Sequence, residues 1–321
     1  MKRIFNIFIS GLPLIVISGL LYAGLFIKPK PFGGHLPPPL FERDDRFYGI
    51  TTAPEHTVWL VGAHGRVMRS DDAAHTWRSQ ASHVLENLQD VAAWDAQRAV
   101  AVGDQGVVVA TQDGGATWRE INVPHSGIAN KLVRVKTVSG GAAWAVGEGG
   151  LALRSSDYGA TWVRVGTDED VSWNDIAVLD QQGWRVGEFG RIEKSVDGGA
   201  SWVAQTSPIK VSLMAVAFRD ERNGVAVGLG GTVLTTNDGG QRWHLETQVT
   251  PEHLFDVIWD GQRWLTVGDK GVVLVGDIDG HLWRQTRGAT ADRDWHTKVA
   301  AGAEHYYFSG TQPLVTEKHA L

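Results

Sequence analysis

Cysteine is absent from the 321 residues. Its absence excludes disulfides, thiolate nucleophiles and cysteine-ligated metal sites together. Helical periodicity of useful length is missing after residue 30, which excludes helical bundles and alternating α/β folds. The 12 His residues form no H-E-x-x-H cluster, so that class of zinc site has no support. No P-loop is present, and "GEGG" (147–150) and "GLGG" (228–231) precede no helix, so they read as turns rather than phosphate cradles. Residues 1–30 hold four of the 30 Lys and Arg and no acid. The remainder carries 26 basic against 36 acidic residues, a formal −10, which argues against nucleic acid and anionic headgroups as partners.

Charge is also missing from residues 4–27, "IFNIFISGLPLIVISGLLYAGLFI". As a helix this run would be about 36 Å long, enough to cross a hydrocarbon core of about 30 Å. It is longer than the apolar region of a signal peptide, and no A-x-A-like site closes it. The expectation is an uncleaved transmembrane anchor over 1–30, lodged in the lipid bilayer through 4–27. A three-residue stub before a large domain predicts the N-terminus inside and the domain outside. In a bacterial host that is the inner membrane with the domain on the periplasmic side. Residues 31–45 form a Pro-rich tether, with a polyproline-like stretch at Pro37–Pro39.

The rest, 46–321, is rich in glycine (39 in the chain) and tryptophan (14). The octets "TQDGGATW" (111–118), "SSDYGATW" (155–162), "SVDGGASW" (195–202) and "TNDGGQRW" (236–243) repeat one turn. Aligned on tryptophan, a glycine stands fifteen residues earlier each time: Gly62 and Trp77, Gly103 and Trp118, Gly147 and Trp162, Gly187 and Trp202, Gly228 and Trp243, Gly268 and Trp283. The glycines are 40 to 44 residues apart, the period of propeller blades or a solenoid. Within a unit, "DVAAW", "RAVAVG" and "GVVVAT" precede the octet, giving four short strands with glycine turns.

Inner strands start near Tyr48, Asp90, Arg134, Asp175, Ala215, Asp256 and Lys298, so the prediction is an all-β, seven-bladed propeller of four-stranded blades. The last unit, ending near Thr316, lacks a fourth strand, and residues near 36–45 are expected to supply it and close the ring. The octet is structural: Asp72, Asp113, Asp157, Asp197 and Asp238 accept turn N–H groups, glycine at the fifth position takes positive φ, and tryptophan packs between sheets. In the sixth octet Ile278 stands where the aspartate should be.

The pattern S/T-x-D-x-G-x-T/S-W is the Asp-box. With "VGxxG" upstream at a period near forty, residues 45–316 resemble the photosystem II stability/assembly factor family. The resemblance implies a seven-bladed propeller that acts without catalysis on a membrane complex. Related propellers accompany exporters of the resistance-nodulation-division type, so an integral membrane complex, with an exporter as one form of it, is the implied partner. No cofactor and no metal are expected.

Propeller function usually sits at the channel mouth on the loop face. Two sets of residues converge there: Asp104, Glu148, Glu188 and Asp269 directly after the repeat glycine, and Asp90, Arg134, Asp175, Asp256 and Lys298 at the inner strands. Three readings stand: an internally paired rim, a partner-docking patch, and a cation site. Carboxylates on separate blades are too spread for Ca²⁺. The enzyme alternative is a glycan-binding or sialidase-like propeller with Tyr306 or Tyr307 as nucleophile, Glu304 beside it, and a cluster drawn from Arg134, Arg185, Arg191 and Arg263. An inward arginine cluster facing Tyr306 would favour it, but Asp-boxes mark fold rather than function.

Overall fold

The computed structural model describes residues 16–22, 25, 40–42, 44–286 and 293–321. The chain divides into two units, 1–39 and 40–321. In the first unit, residues 16–22 and 25 are helical and exposed; the rest of the expected anchor lies outside the described residues. Among the described residues, no helix is long and apolar enough to cross a membrane.

The described residues of 40–321 form seven antiparallel sheets, each of strands consecutive in sequence, as in a propeller. Six have four strands, and the last, Val299–Ala301, His305–Phe308 and Leu314–Glu317, has three. The seventh blade's fourth strand was expected from 36–45. The described part of that segment forms no strand, and 36–39 lie outside the described residues. Phe41 instead packs edge-on against Phe47 and Trp77, while Arg66 holds the Leu40 carbonyl and the Asp45 carboxylate.

The conserved spacing of the repeat glycines has a steric cause. A Cβ on Gly62, Gly103, Gly147, Gly187, Gly228 or Gly268 would lie far inside contact with a backbone oxygen just before that blade's inner strand: Arg46, Asn87, Lys131, Ser172, Ser212 and His253 in turn. These glycines have extended backbone, so close approach and not φ demands them. The next residue's N–H then bonds the same oxygen, as in Glu148 N to Lys131 O at 2.9 Å and Glu188 N to Ser172 O at 3.2 Å.

Each Asp-box turn satisfies itself. Asp197 accepts the Ser201 N–H at 2.9 Å and its hydroxyl at 2.6 Å, while Ser195 donates to Asp197 and accepts from the Gly199 N–H. Asp72, Asp113 and Asp157 repeat this with Thr76, Thr117 and Thr161; Asp238 makes the backbone bond to Arg242. In the sixth unit Asp277, one residue early, takes the His281 and Leu282 N–H groups, so the octet that reads as degenerate still has its acceptor. The tryptophans pack on the preceding blade: Trp202 lies edge-on to Trp144 at 6.1 Å, and Trp118 donates to Gln80. Trp77, Trp202 and Trp283 are half-buried; Trp118, Trp162 and Trp243 are buried.

The hydroxyl and N–H donors of these turns hold the Asp72, Asp113 and Asp197 carboxyls down at about 2. Because the folded pKa lies below the unfolded one, their contribution is present above about pH 4 and is lost as pH falls towards about 2. The thermal midpoint of wild type should fall across that window. In Asp197→Asn the fall should be smaller, measured by tryptophan fluorescence.

Candidate functional site: the charged centre and the loop face

Each of the first six inner strands opens with a bulge, for example between Leu88 and Asp90 or Trp173 and Asp175. A bulge re-aims the residue after it. The residues so placed are Gly49, Asp90, Arg134, Asp175, Ala215 and Asp256, with Lys298 directly before the seventh inner strand. The sequence therefore brings Asp90, Arg134, Asp175, Asp256 and Lys298 together.

They do not form a solvated rim. Asp90, Asp175 and Asp256 are 0% exposed, and Arg134 and Lys298 are 7% exposed. Asp90 accepts its neighbour Val91 N–H at 2.8 Å and the Val135 N–H of the next blade at 3.0 Å. Asp175 does the same with Ile176 and Val216, and Asp256 accepts from Val299 at 2.9 Å. Three carboxylates thus fasten blades 2 to 3, 4 to 5 and 6 to 7. Charged hydrogen bonds of this kind contribute about 1.5–3 kcal/mol each.

The cations answer them. Lys298 binds both Asp90 oxygens. Arg134 lies 3.5 Å from Asp175 and 3.6 Å from Asp256, and donates to the Phe255 carbonyl at 3.1 Å. Lys136, which the sequence reading overlooked, stands 3.6 Å from Asp175. Its signal was its place two residues after Arg134 on the same strand. Burial drags the Lys298 ammonium down to about 8 even against the pull of Asp90. Burial also raises the Asp256 carboxyl despite Arg134. For Arg134 burial opposes the charge, but Asp175, Asp256 and Asp90 outweigh it and raise its pKa.

The second set stays at the loop face. Asp104, Glu148, Glu188 and Asp269 are half-buried, each at the start of the turn between the second and third strands. Asp104 accepts from Asn87 and Gln89 and lies 3.7 Å from Lys131; Glu188 accepts the Ser172 N–H at 2.8 Å; Asp269 accepts the Lys270 N–H at 2.9 Å. Turn tips reach solvent beside them, including Phe189 at 68% exposure. Among the described residues no cluster of His, Asp and Glu is arranged to hold a metal ion.

The arginine cluster of the sialidase reading does not assemble. Tyr306 is buried, donates its hydroxyl to Asp260 and, among the described arginines, meets Arg263, at 3.3 Å, with the Lys318 ammonium over its ring. Burial and the Asp260 bond push it up to about 12, the opposite of an activated nucleophile. Tyr307 is buried in the packing of blades 1 and 7. Arg134 belongs to the centre. Arg185 is buried in blade 4, paired with Glu193 at 2.5 and 2.9 Å and lying over the Trp173 and Trp202 rings. Arg191 pairs with Glu169 and Glu193.

Comparisons with known proteins agree with this architecture. No curated protein matches the sequence. A structure of YCF48 bound to D1 peptide superposes with a TM-score of 0.69 at 17% identity, covering 85% of this chain and 93% of that one. YCF48 from Cyanidioschyzon merolae gives 0.71 at 16% identity, covering 86% and 96%. PorZ, a surface component of the type-IX secretion system of Porphyromonas gingivalis, gives 0.64 at 14% identity, covering 85% of this chain but 37% of its own. The model of the photosynthesis system II assembly factor YCF48 family matches residues 76–206 and 201–290. With the Asp-box ring that these residues build, that match makes the chain a member of the YCF48 assembly-factor family.

Proposed function

We propose that this propeller is a membrane-anchored, non-catalytic assembly factor that binds a protein client, an integral membrane complex, on the periplasmic side. An accessory role on an exporter is the narrower form of the reading. The family match over 76–290 supports the assembly-factor part of this reading. The related YCF48 structure holds a peptide, which supports a protein client here. The uncharged run 4–27 supports anchoring, because a tether raises the effective concentration at a membrane-embedded client. With Asp90, Asp175 and Asp256 consumed by the core, the docking residues of choice are those of the loop face: Asp104, Glu148, Glu188 and Asp269.

Full-length protein purified natively in mild detergent should co-elute with a stoichiometric membrane protein identified by mass spectrometry. A joint Asp104→Ala, Glu188→Ala and Asp269→Ala variant should lose it while keeping its thermal midpoint. A lone monomer, together with hydrolysis of a sialoside, would replace this reading with the glycan one.

A further inference from the structure

We infer that the ring opens at one place, the seam between blades 7 and 1, and that Lys298 is the bolt across it. The inference goes beyond the assembly-factor reading and rests on four observations.

First, every sheet is built from strands consecutive in sequence, so among the described residues no strand is shared between the chain's early and late parts. Seams elsewhere are crossed by the chain as it passes from one blade to the next. This seam is held by non-covalent contacts: Phe47 N–H to Gly310 O at 2.9 Å, Thr297 Oγ1 to Tyr48 O at 2.6 Å, Thr52 Oγ1 to Ala301 O at 3.1 Å, and the packing of Ile50 and Leu60 on Ala300 and Tyr307.

Second, the surface is cleft there: an open pocket of about 330 Å³ lies between His56, His75, Glu304 and Tyr307, and another of about 190 Å³ adjoins it at Pro54, Val58 and Gly302, while a third, of about 440 Å³, marks the other side of blade 1 at Gln80 and Gly114. Third, four residues beside the seam hold left-handed backbone without being glycine: Glu55 (φ 64°), His56 (φ 62°), Ala73 (φ 57°) and Ala74 (φ 70°). In blades 2, 4 and 5 the two positions matching Ala73 and Ala74 are glycines. Such conformations are strained in residues bearing a Cβ.

Fourth, the bolt skips a blade. Lys298, before the inner strand of blade 7, reaches Asp90 on blade 2. It can do so because the blade between them carries Gly49 at the matching position, where a Cβ would stand 2.6 Å from the Asp90 Cα. Asp90 in turn grips blade 3 through Val135. One buried ion pair therefore clamps blade 1 between its neighbours.

Hydrogen exchange of the full-length protein in detergent tests this. Amides of 47–53 and 299–308 should exchange at least about tenfold faster than the inner strands of blades 3 to 5, since local opening has its own free energy. Lys298→Met should speed exchange at those segments about tenfold further and leave blades 3 to 5 unchanged. Thr52→Cys with Ala301→Cys, oxidised in this cysteine-free chain, should slow it to the level of the other blades. Equal rates in all seven inner strands would overturn the inference. So would a Lys298→Met effect spread evenly over the ring, or a formed disulfide that leaves exchange at the seam as it was.

Discussion

Gly147→Ala should destabilise the propeller by at least about 3 kcal/mol, at or beyond the upper range for overpacking. The added methyl would collide with the Lys131 carbonyl oxygen, which is backbone and cannot swing aside. Moving that backbone also breaks the Glu148 N–H bond of 2.9 Å to the same oxygen and disturbs the bulge that aims Arg134. The control is Gly140→Ala. Gly140 has φ +76° but nothing within 4 Å of its Cβ, so it should cost only about 1–2 kcal/mol of backbone strain. Urea denaturation followed by tryptophan fluorescence measures both. Equal losses would mean that φ, not close approach, makes the repeat glycine necessary.

Arg185→Met should cost about 2–3 kcal/mol by stripping two charged hydrogen bonds from the buried Glu193 carboxylate and leaving it only Arg191, at 3.1 Å. The side chains are 6% and 10% exposed, so little water can compensate. Glu193→Leu alone should be similarly damaging. The double variant Arg185→Met, Glu193→Leu should return close to wild-type stability, because the matching positions on blades 2, 3 and 5 are apolar: Ala101, Ala145 and Ala226 for Arg185, and Val109, Leu153 and Leu234 for Glu193. The cycle is decisive in one direction. If the double variant is as unstable as either single, the Trp173 and Trp202 rings over the guanidinium, at 4.1 and 4.8 Å, contribute more than the ion pair.

The fold was legible because a propeller writes each structural need once per blade. The fifteen-residue interval from Gly147 to Trp162 joins a contact that admits no Cβ to a tryptophan that packs on the preceding blade, and both needs recur six times. The Asp-box chemistry could be read from residue types alone because every bond in it is local, within four residues of Asp197. What the sequence concealed was non-local. Asp90 and Lys298 are 208 positions apart, and nothing in the residues near either one says that water is excluded from both. The bulge before Asp90 decides that, by turning the carboxylate towards the next blade's Val135. Arg185 was open to the same error: an arginine in a column without another charge reads as a free functional cation until its partner Glu193, in a neighbouring column, is set beside it.

The fastening carboxylates stand on blades 2, 4 and 6, each tied to the blade that follows. They divide the molecule into three couples and a remainder. An even-numbered ring could be tiled by couples alone; with seven, one blade has no mate. That unpaired blade is the first, with a glycine at its inner position: a side chain there would press on the Asp90 backbone, and the Val91 N–H that a carboxylate would seek is already taken by Asp90. The blade left outside the couples is the one that meets the seventh across the seam between the two ends of the ring.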